Sequence, residues 1–282
     1  MKCDLASCNS KQIVRGISSV RQGIQIGSAR YCSVECFARA AYESLVTLCS
    51  RRVVEIPRTP RLSLALALLS KGYVTAEQLR VAANKCHWSG ESLDDALVRL
   101  NLASDKQLAV ARSAQWGYPV LAQEHIGHVV QADIPRALLD ECYAAPIHYS
   151  IAAQRMLIGF VYRIEHSLLR SIEHITGCRV EPCFVTTKDR AGQMERLSNT
   201  SSYNEIVIDN PGTPQDMART VGLVAEDITI REASFTLCKN SVWSRLTGKN
   251  RITDLIFKLK MAIPEAVATR TEIFDDTAAT IG

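Results

Sequence analysis

Four cysteines lie within the first 36 residues: Cys3, Cys8, Cys32 and Cys36. Their spacing is C-x4-C, then 23 residues, then C-x3-C. Two tight pairs of soft ligands from distant parts of a short segment are what tetrahedral Zn2+ takes, and four thiolates leave the metal no open position. The spacing therefore predicts a structural zinc ion held by Cys3, Cys8, Cys32 and Cys36, with no catalytic role. A short segment with few large apolar side chains has little core of its own and gains stability from a metal. The chain has ten Cys, and Met1-Lys2-Cys3-Asp4 leads into no apolar stretch of the signal-peptide kind. Together these indicate a reducing compartment, where thiols bind metal or fill cores, and so a cytoplasmic location.

The elements that must position these thiols can be read around them. Between the pairs, QIVRGISSVRQGIQIGSARY sets β-branched residues around Gly16, Gly23 and Gly27, which predicts a hairpin. Ser33 can start a helix with Glu35 in its first turn, running to about Arg52. Cys36 then sits in that first turn, where the positive helix end favours a thiolate. Knuckle, hairpin and a helix carrying the second pair resemble a treble-clef zinc finger over residues 1–52.

A second pattern occurs twice. Residues 63–86 read SLALALLSKGYVTAEQLRVAANKC and residues 92–115 read SLDDALVRLNLASDKQLAVARSAQ. Each carries Ser-Leu at its start, a second Leu (Leu68, Leu97), a Thr or Ser before a second periodic run (Thr75, Ser104) and a later Leu (Leu79, Leu108). Ser and Thr before apolar-periodic runs are helix N-cap signals, so each copy predicts helix, turn, helix. Downstream, IPRALLDECYAAPIHYS predicts a helix running into an extended piece, and RMLIGFVY a buried strand. HSLLRSIEHITG predicts an amphipathic helix stopped by Gly177, CRVEPCFVTT a strand and KDRAGQMERL a helix. The predicted fold class is α+β: a zinc finger, a helical repeat subdomain joined to a small β-α-β-α subdomain, then a short α/β C-terminal piece.

Residues 61–197 resemble the N-terminal (MshEN or EspE N-terminal-like) domain of type II secretion and type IV pilus assembly ATPases. The resemblance rests on the doubled unit, the exit Gln115-Trp116-Gly117-Tyr118-Pro119, the IPRALLDECYAAP step and TGCRVEP before a strand. Some members of that family bind cyclic di-GMP, through repeats that begin Arg-Leu-Gly, carry a later Gly and end in Gln. Carried onto this chain, the resemblance implies Arg61, Leu64, Gly72, Leu93 and Gln115 as remnants of such a site. The first copy, however, has Ser63, Leu64 and Ala65 at the Arg-Leu-Gly positions and Cys86 for Gln. The second has Ser92, Leu93 and Asp94, with Asn101 for Gly. The leucines persist while the polar contacts are mostly replaced, and Asp94 would repel a phosphate. The resemblance thus argues for a retained scaffold and against a nucleotide ligand.

Residues 198–215, SNTSSYNEIVIDNPGTPQ, read as a linker. Residues 216–262 predict a helix and two strands joined at Lys239-Asn240, similar to the start of the second domain of the same ATPases. Residues 263–282 read as a tail. No GxxxxGK[ST] phosphate loop, GxSxG or Rossmann fingerprint occurs, so no enzyme activity is expected. Cys178 and Cys183 read as strand packing, His166 and His174 as solvated helix residues, Glu165 and Glu173 as surface ion-pair partners, and Trp88 and Trp116 as core.

The net charge is +4, and residues 1–55, with eight basic against four acidic side chains, hold all of that excess. Zinc with four thiolates would add −2 there, which argues against nucleic acid as a partner. No apolar run reaches about 18 residues, so no membrane insertion is predicted. The expected role is a non-enzymatic cytoplasmic adaptor or regulator with the motor absent. Its partner would be a protein, such as an inner-membrane secretion or pilus assembly component. A cyclic di-GMP-like nucleotide sensor and a nucleic-acid-binding zinc protein are the alternatives.

Overall fold

The computed structural model describes residues 3–8, 23–50, 60, 62–121, 133–197 and 203–259. At the N-terminus, β1 (Ile24–Ile26) and β2 (Ala29–Tyr31) pair antiparallel about Gly27, whose φ of 57° suits the tight turn. Helix α1 (Val34–Ser50) follows, as expected, and Ser33 Oγ accepts from Cys36 N at 3.3 Å to begin it. The rest of the predicted hairpin, residues 9–22, lies outside the described residues.

The doubled unit forms α2 (Leu64–Ser70), α3 (Ala76–Ser89), α4 (Leu93–Arg99) and α5 (Asp105–Trp116). Ser63, Thr75, Ser92 and Ser104 each cap a helix by accepting from a backbone N–H three residues on. Thr75 with Gln78, and Ser104 with Gln107, make complete capping boxes. The two copies exchange partners: α2 packs on α5 and α3 on α4. Leu68, Leu79, Leu97 and Leu108, the leucines of the repeat, are buried in the shared core.

The next subdomain runs α6 (Arg136–Glu141), β3 (Ala144–Ser150), β4 (Arg155–Phe160), α7 (His166–Thr176), β5 (Arg179–Phe184) and α8 (Thr187–Arg196). The sheet order is β3-β4-β5, with β4 parallel to β5. Val120 bridges to Phe184, and the backbone N–H of Thr187 at the start of α8 donates to Asp105 at 2.8 Å, so this subdomain covers the second repeat copy. Cys183 is buried in β5 and Cys178 just before it, in keeping with packing.

Two expectations fail at the C-terminal end. The segment read as a linker contains a strand, β6 (Tyr203–Ile208), and Pro214 already opens the helix α9 (Pro214–Asp227). The short α/β piece is also larger than expected. Strands β7 (Glu232–Cys238), β8 (Ser241–Thr247) and β9 (Ile252–Lys258) are the centre of a six-stranded sheet of order β2-β1-β7-β8-β9-β6, so the N-terminal hairpin belongs to it. The physical reason is pairing across long sequence separations. Strand β1 joins β7 in parallel through Gln25–Glu232 and Ile26–Ala233, and β6 joins β9 in parallel. The tail expected at 263–282 lies outside the described residues.

One face of this sheet carries α1 and α9. Phe37, Ala41 and Leu45 pack with Met217, Val221, Val242, Leu246 and Phe257 in one core. Each large side chain so buried contributes about 1.5–3 kcal/mol. Alternate residues of the same strands, Cys238, Trp243 and Ile256, point to the opposite face and join the core of the β3-β4-β5 subdomain. Helix α6 is held at both ends by the larger sheet. Glu205 of β6 accepts from Arg136 N (2.7 Å) and Ala137 N (2.9 Å), and Ser241 Oγ donates to Glu141 Oε2 at 3.2 Å.

Two further expectations need correction. Trp88 is 86% exposed, with an edge contact to His87, because the covering subdomain reaches only the second copy, where Trp116 packs against its core. Glu165 is buried rather than a surface residue, paired with Arg163. Glu173 uses its carboxylate to accept from Val180 N at 2.9 Å, and His174 is exposed as expected.

On the sheet face that carries Trp243 and Ile256 lies a buried ion pair, with Arg245 over the Trp243 ring. Arg245 and the fully buried Asp254 face each other on β8 and β9, with Nη2 to Oδ2 at 2.7 Å and Nε to Oδ1 at 3.0 Å. Tyr203 of β6 donates to Asp254 Oδ2 at 2.8 Å, and burial, with Asp254 beside it, keeps that hydroxyl protonated. Removing one member leaves the other charge unpaired. Asp254→Asn is expected to lower unfolding free energy by about 3–5 kcal/mol, read as a urea-midpoint shift. The double change Arg245→Met with Asp254→Leu is expected to cost less than the single change.

Candidate metal centre and repeat cavity

The four cysteines named from their spacing converge. The Sγ atoms of Cys3, Cys8, Cys32 and Cys36 all lie within 4.8 Å of one another. Cys8–Cys32, Cys32–Cys36 and Cys36–Cys8 are each 3.7 Å apart. Four sulfurs at a Zn–S distance of about 2.3 Å would stand about 3.8 Å apart at the corners of a tetrahedron. Disulfide sulfurs would be far closer, at about 2.05 Å. The set fits a four-thiolate metal ion.

Local structure holds each pair. Cys8 N donates to Leu5 O at 3.0 Å, closing the first knuckle, and Leu5 is buried in the core beneath. Asp4 ties that knuckle to β2: its N donates to Arg30 O (2.9 Å), and its Oδ2 accepts from Arg30 N (2.7 Å). Cys32 follows β2 directly, and Cys36 lies in the first turn of α1. Burial, reinforced by the neighbouring sulfurs and opposed by the Ser33 hydroxyl, pushes the Cys36 thiol up to about 12. A metal must displace that proton.

The second region of interest is the repeat. Leu64 and Leu93 pack against the repeat core, and Gln115 lies half-buried in the last turn of α5. Gly72 and Asn101, at matching places in the two copies, both have positive φ, 67° and 53°. Asn tolerates that region better than most residues, so the turn survives the replacement. Nothing lies within 4 Å of a Cβ built on Gly72, so its role is conformational rather than close approach. Arg61 lies outside the described residues.

A cavity of about 320 Å³ opens between α4, α5 and the neighbouring subdomain. Glu91, Asp94, Asp95 and Asp105 line it, against Arg99 and Arg112. Asp94 Oδ1 stands 2.6 Å from Nη2 of Arg112, whose side chain is 2% exposed and lies over the Tyr162 ring at 5.0 Å. Glu91 is paired with Arg99 at 2.7 Å. The cavity is acidic, and its one buried guanidinium is already matched by a carboxylate. Arg112 was not singled out from the sequence. A signal was there: at the matching places in the first copy stand Ala65 and Ala83, so Asp94 and Arg112 replace an alanine pair together.

No protein-family profile matches the chain. Over 127 residues, 44% of this chain, it is 31% identical to the type IV pilus assembly ATPase PilB of Thermus thermophilus. Over that stretch the chain is related to a type IV pilus assembly ATPase. It spans only 14% of the length of PilB. Among solved structures, MshE with cdg is similar at 21% identity and a TM-score of 0.40, over 49% of this chain and 99% of that one. The N-terminal domain of XpsE is similar at 17% identity and a TM-score of 0.38, over 48% and 94%. No helix among the described residues is long and apolar enough to cross a membrane.

In this pilus-ATPase-related domain the repeat leucines do packing, and the polar places hold a self-contained ion pair. Asp94→Ala is expected to destabilise the chain by about 3 kcal/mol, because Arg112 would stay buried without its partner. The check is chemical denaturation, with Arg112→Leu added to Asp94→Ala recovering part of the loss. At the cysteine cluster, metal uptake must release protons, so apparent affinity is expected to rise with pH and fall as pH drops. Titration with Zn2+ at several pH values, with proton release followed, checks this. Cys32→Ser is expected to lose the ion.

Proposed function

We propose that this chain is a non-enzymatic cytoplasmic adaptor of a type II secretion or type IV pilus system, binding a protein partner through its ATPase-related domain. A structural Zn2+ on Cys3, Cys8, Cys32 and Cys36 holds the N-terminal knuckles. With all four positions filled by thiolate, it has no site for substrate. The observation that carries the reading is the Asp94–Arg112 pair. The scaffold that resembles a nucleotide-binding repeat is kept, while the one buried cation in its cavity is neutralised from within. A cavity with more carboxylates than guanidinium groups disfavours a phosphate-bearing ligand. The relationship to PilB supports the choice of pathway.

Two measurements test this reading. Affinity isolation of the chain from its own cells after mild crosslinking is expected to recover a secretion or pilus assembly component. Recovery of none would overturn the adaptor reading. Calorimetry with cyclic di-GMP is expected to give no heat at high micromolar ligand; saturable heat would move the chain to the sensor class.

A further inference from the structure

Helices α1 and α9 lie side by side on the six-stranded sheet, and their outer surfaces form a groove of about 520 Å³. Its small lining residues are Ala38 of α1 and Ala218 of α9. The two helices touch closely beside it: a Cβ built on Gly222 of α9 would stand 3.7 Å from the Ala38 Cβ. Small residues let another backbone approach closely. Tyr42, which lines the groove, is an apolar group open to solvent, 42% exposed.

The charges on the rim are what select an occupant. Arg219 is matched within its own helix by Asp216 at 3.0 Å. Arg39 and Glu43 also line the groove, one turn apart on α1, and neither side chain makes an ion pair or hydrogen bond among the described residues. A basic and an acidic group one turn apart, with Tyr42 between them, form a self-complementary pattern. Turned by a two-fold axis and laid antiparallel, the same helix brings each Arg39 opposite a Glu43 and each Tyr42 near the axis. Two-fold association uses one patch against itself, so every such pair forms twice.

We propose that the α1–α9 groove joins two copies of this chain across a two-fold axis, with Arg39 of one copy paired to Glu43 of the other. The interface stands apart from the adaptor reading, since it needs no pathway partner. It also lies on a different face from the repeat cavity. Charged pairs of this kind set partner and register more than raw affinity. Tyr42 of each copy, closing over Ala38 and Ala218, supplies the buried apolar surface.

The test is sedimentation equilibrium of the full zinc-loaded chain from low micromolar to tens of micromolar. The expected result is a monomer–dimer equilibrium within that range. Arg39→Glu and Glu43→Arg, each alone, turn two attractive pairs into two repulsive ones and are expected to weaken dimerisation about tenfold or more. The double swap Arg39→Glu with Glu43→Arg is expected to restore it. Both residues are exposed, and far-UV circular dichroism with zinc stoichiometry verifies that each variant keeps its fold. A wild-type monomer throughout, single reversals that leave the dimer intact, or a swap that fails to restore it would each overturn the proposal.

Discussion

The short parallel pairing of β1 with β7 is the contact on which the arrangement of this chain depends. It involves Gln25 and Ile26 against Glu232 and Ala233, with Gln25 N donating to Arg231 O at 2.8 Å. Through it residues 3–8 and 23–50 share one sheet and one core with residues 203–259. Two register pairs contribute little by themselves. Their effect comes from what they align: Phe37 and Leu45 of α1 reach the same sheet face as Val221 of α9 only in this register. A slip of one residue would turn the alternate strand residues to the wrong face.

The same sheet serves as the platform for the β3-β4-β5 subdomain. Its second face contributes Trp243 and Ile256 to that subdomain's core, and Glu205 caps α6 from the edge strand β6. The thiol cluster is bound into this arrangement as well. Helix α1 carries Cys36 at its start and packs along α9 further on, so the position of one ligand and the register of the core are fixed by one rigid rod. Leu5, between the first two cysteines, is itself buried in that core.

What could be read from the sequence was local. The caps at Ser63, Thr75, Ser92 and Ser104, the stop at Gly177 and the start of α1 at Ser33 depend on residues a turn away, and all appear where their types predict. The cysteine pairs converge as their spacing, which suits metal geometry, predicts. Strand β6 escaped because polar and turn-forming residues surround it and its partner β9 lies almost fifty residues on. Burial of charge escaped for a related reason: Arg112 and Asp254 look like solvated residues until their partners arrive from other elements. Trp88 failed in the opposite sense, since nothing local marks which of two like helices will be covered.

The interrupted order of the larger sheet has a consequence for synthesis. Ala233 is made 207 residues after its partner Ile26. At a translation rate of about 5–20 residues per second, the N-terminal hairpin waits roughly 10–40 s for the strand that receives it. During that interval Phe37 and Leu45 have no core to enter, whereas the four sulfurs all lie within the first 36 residues and can gather at once. Any ion that the sulfurs take would therefore be captured early on the ribosome, while closure of the sheet comes late. The chain must keep an apolar helix face from misassociating while an entire intervening domain is being built.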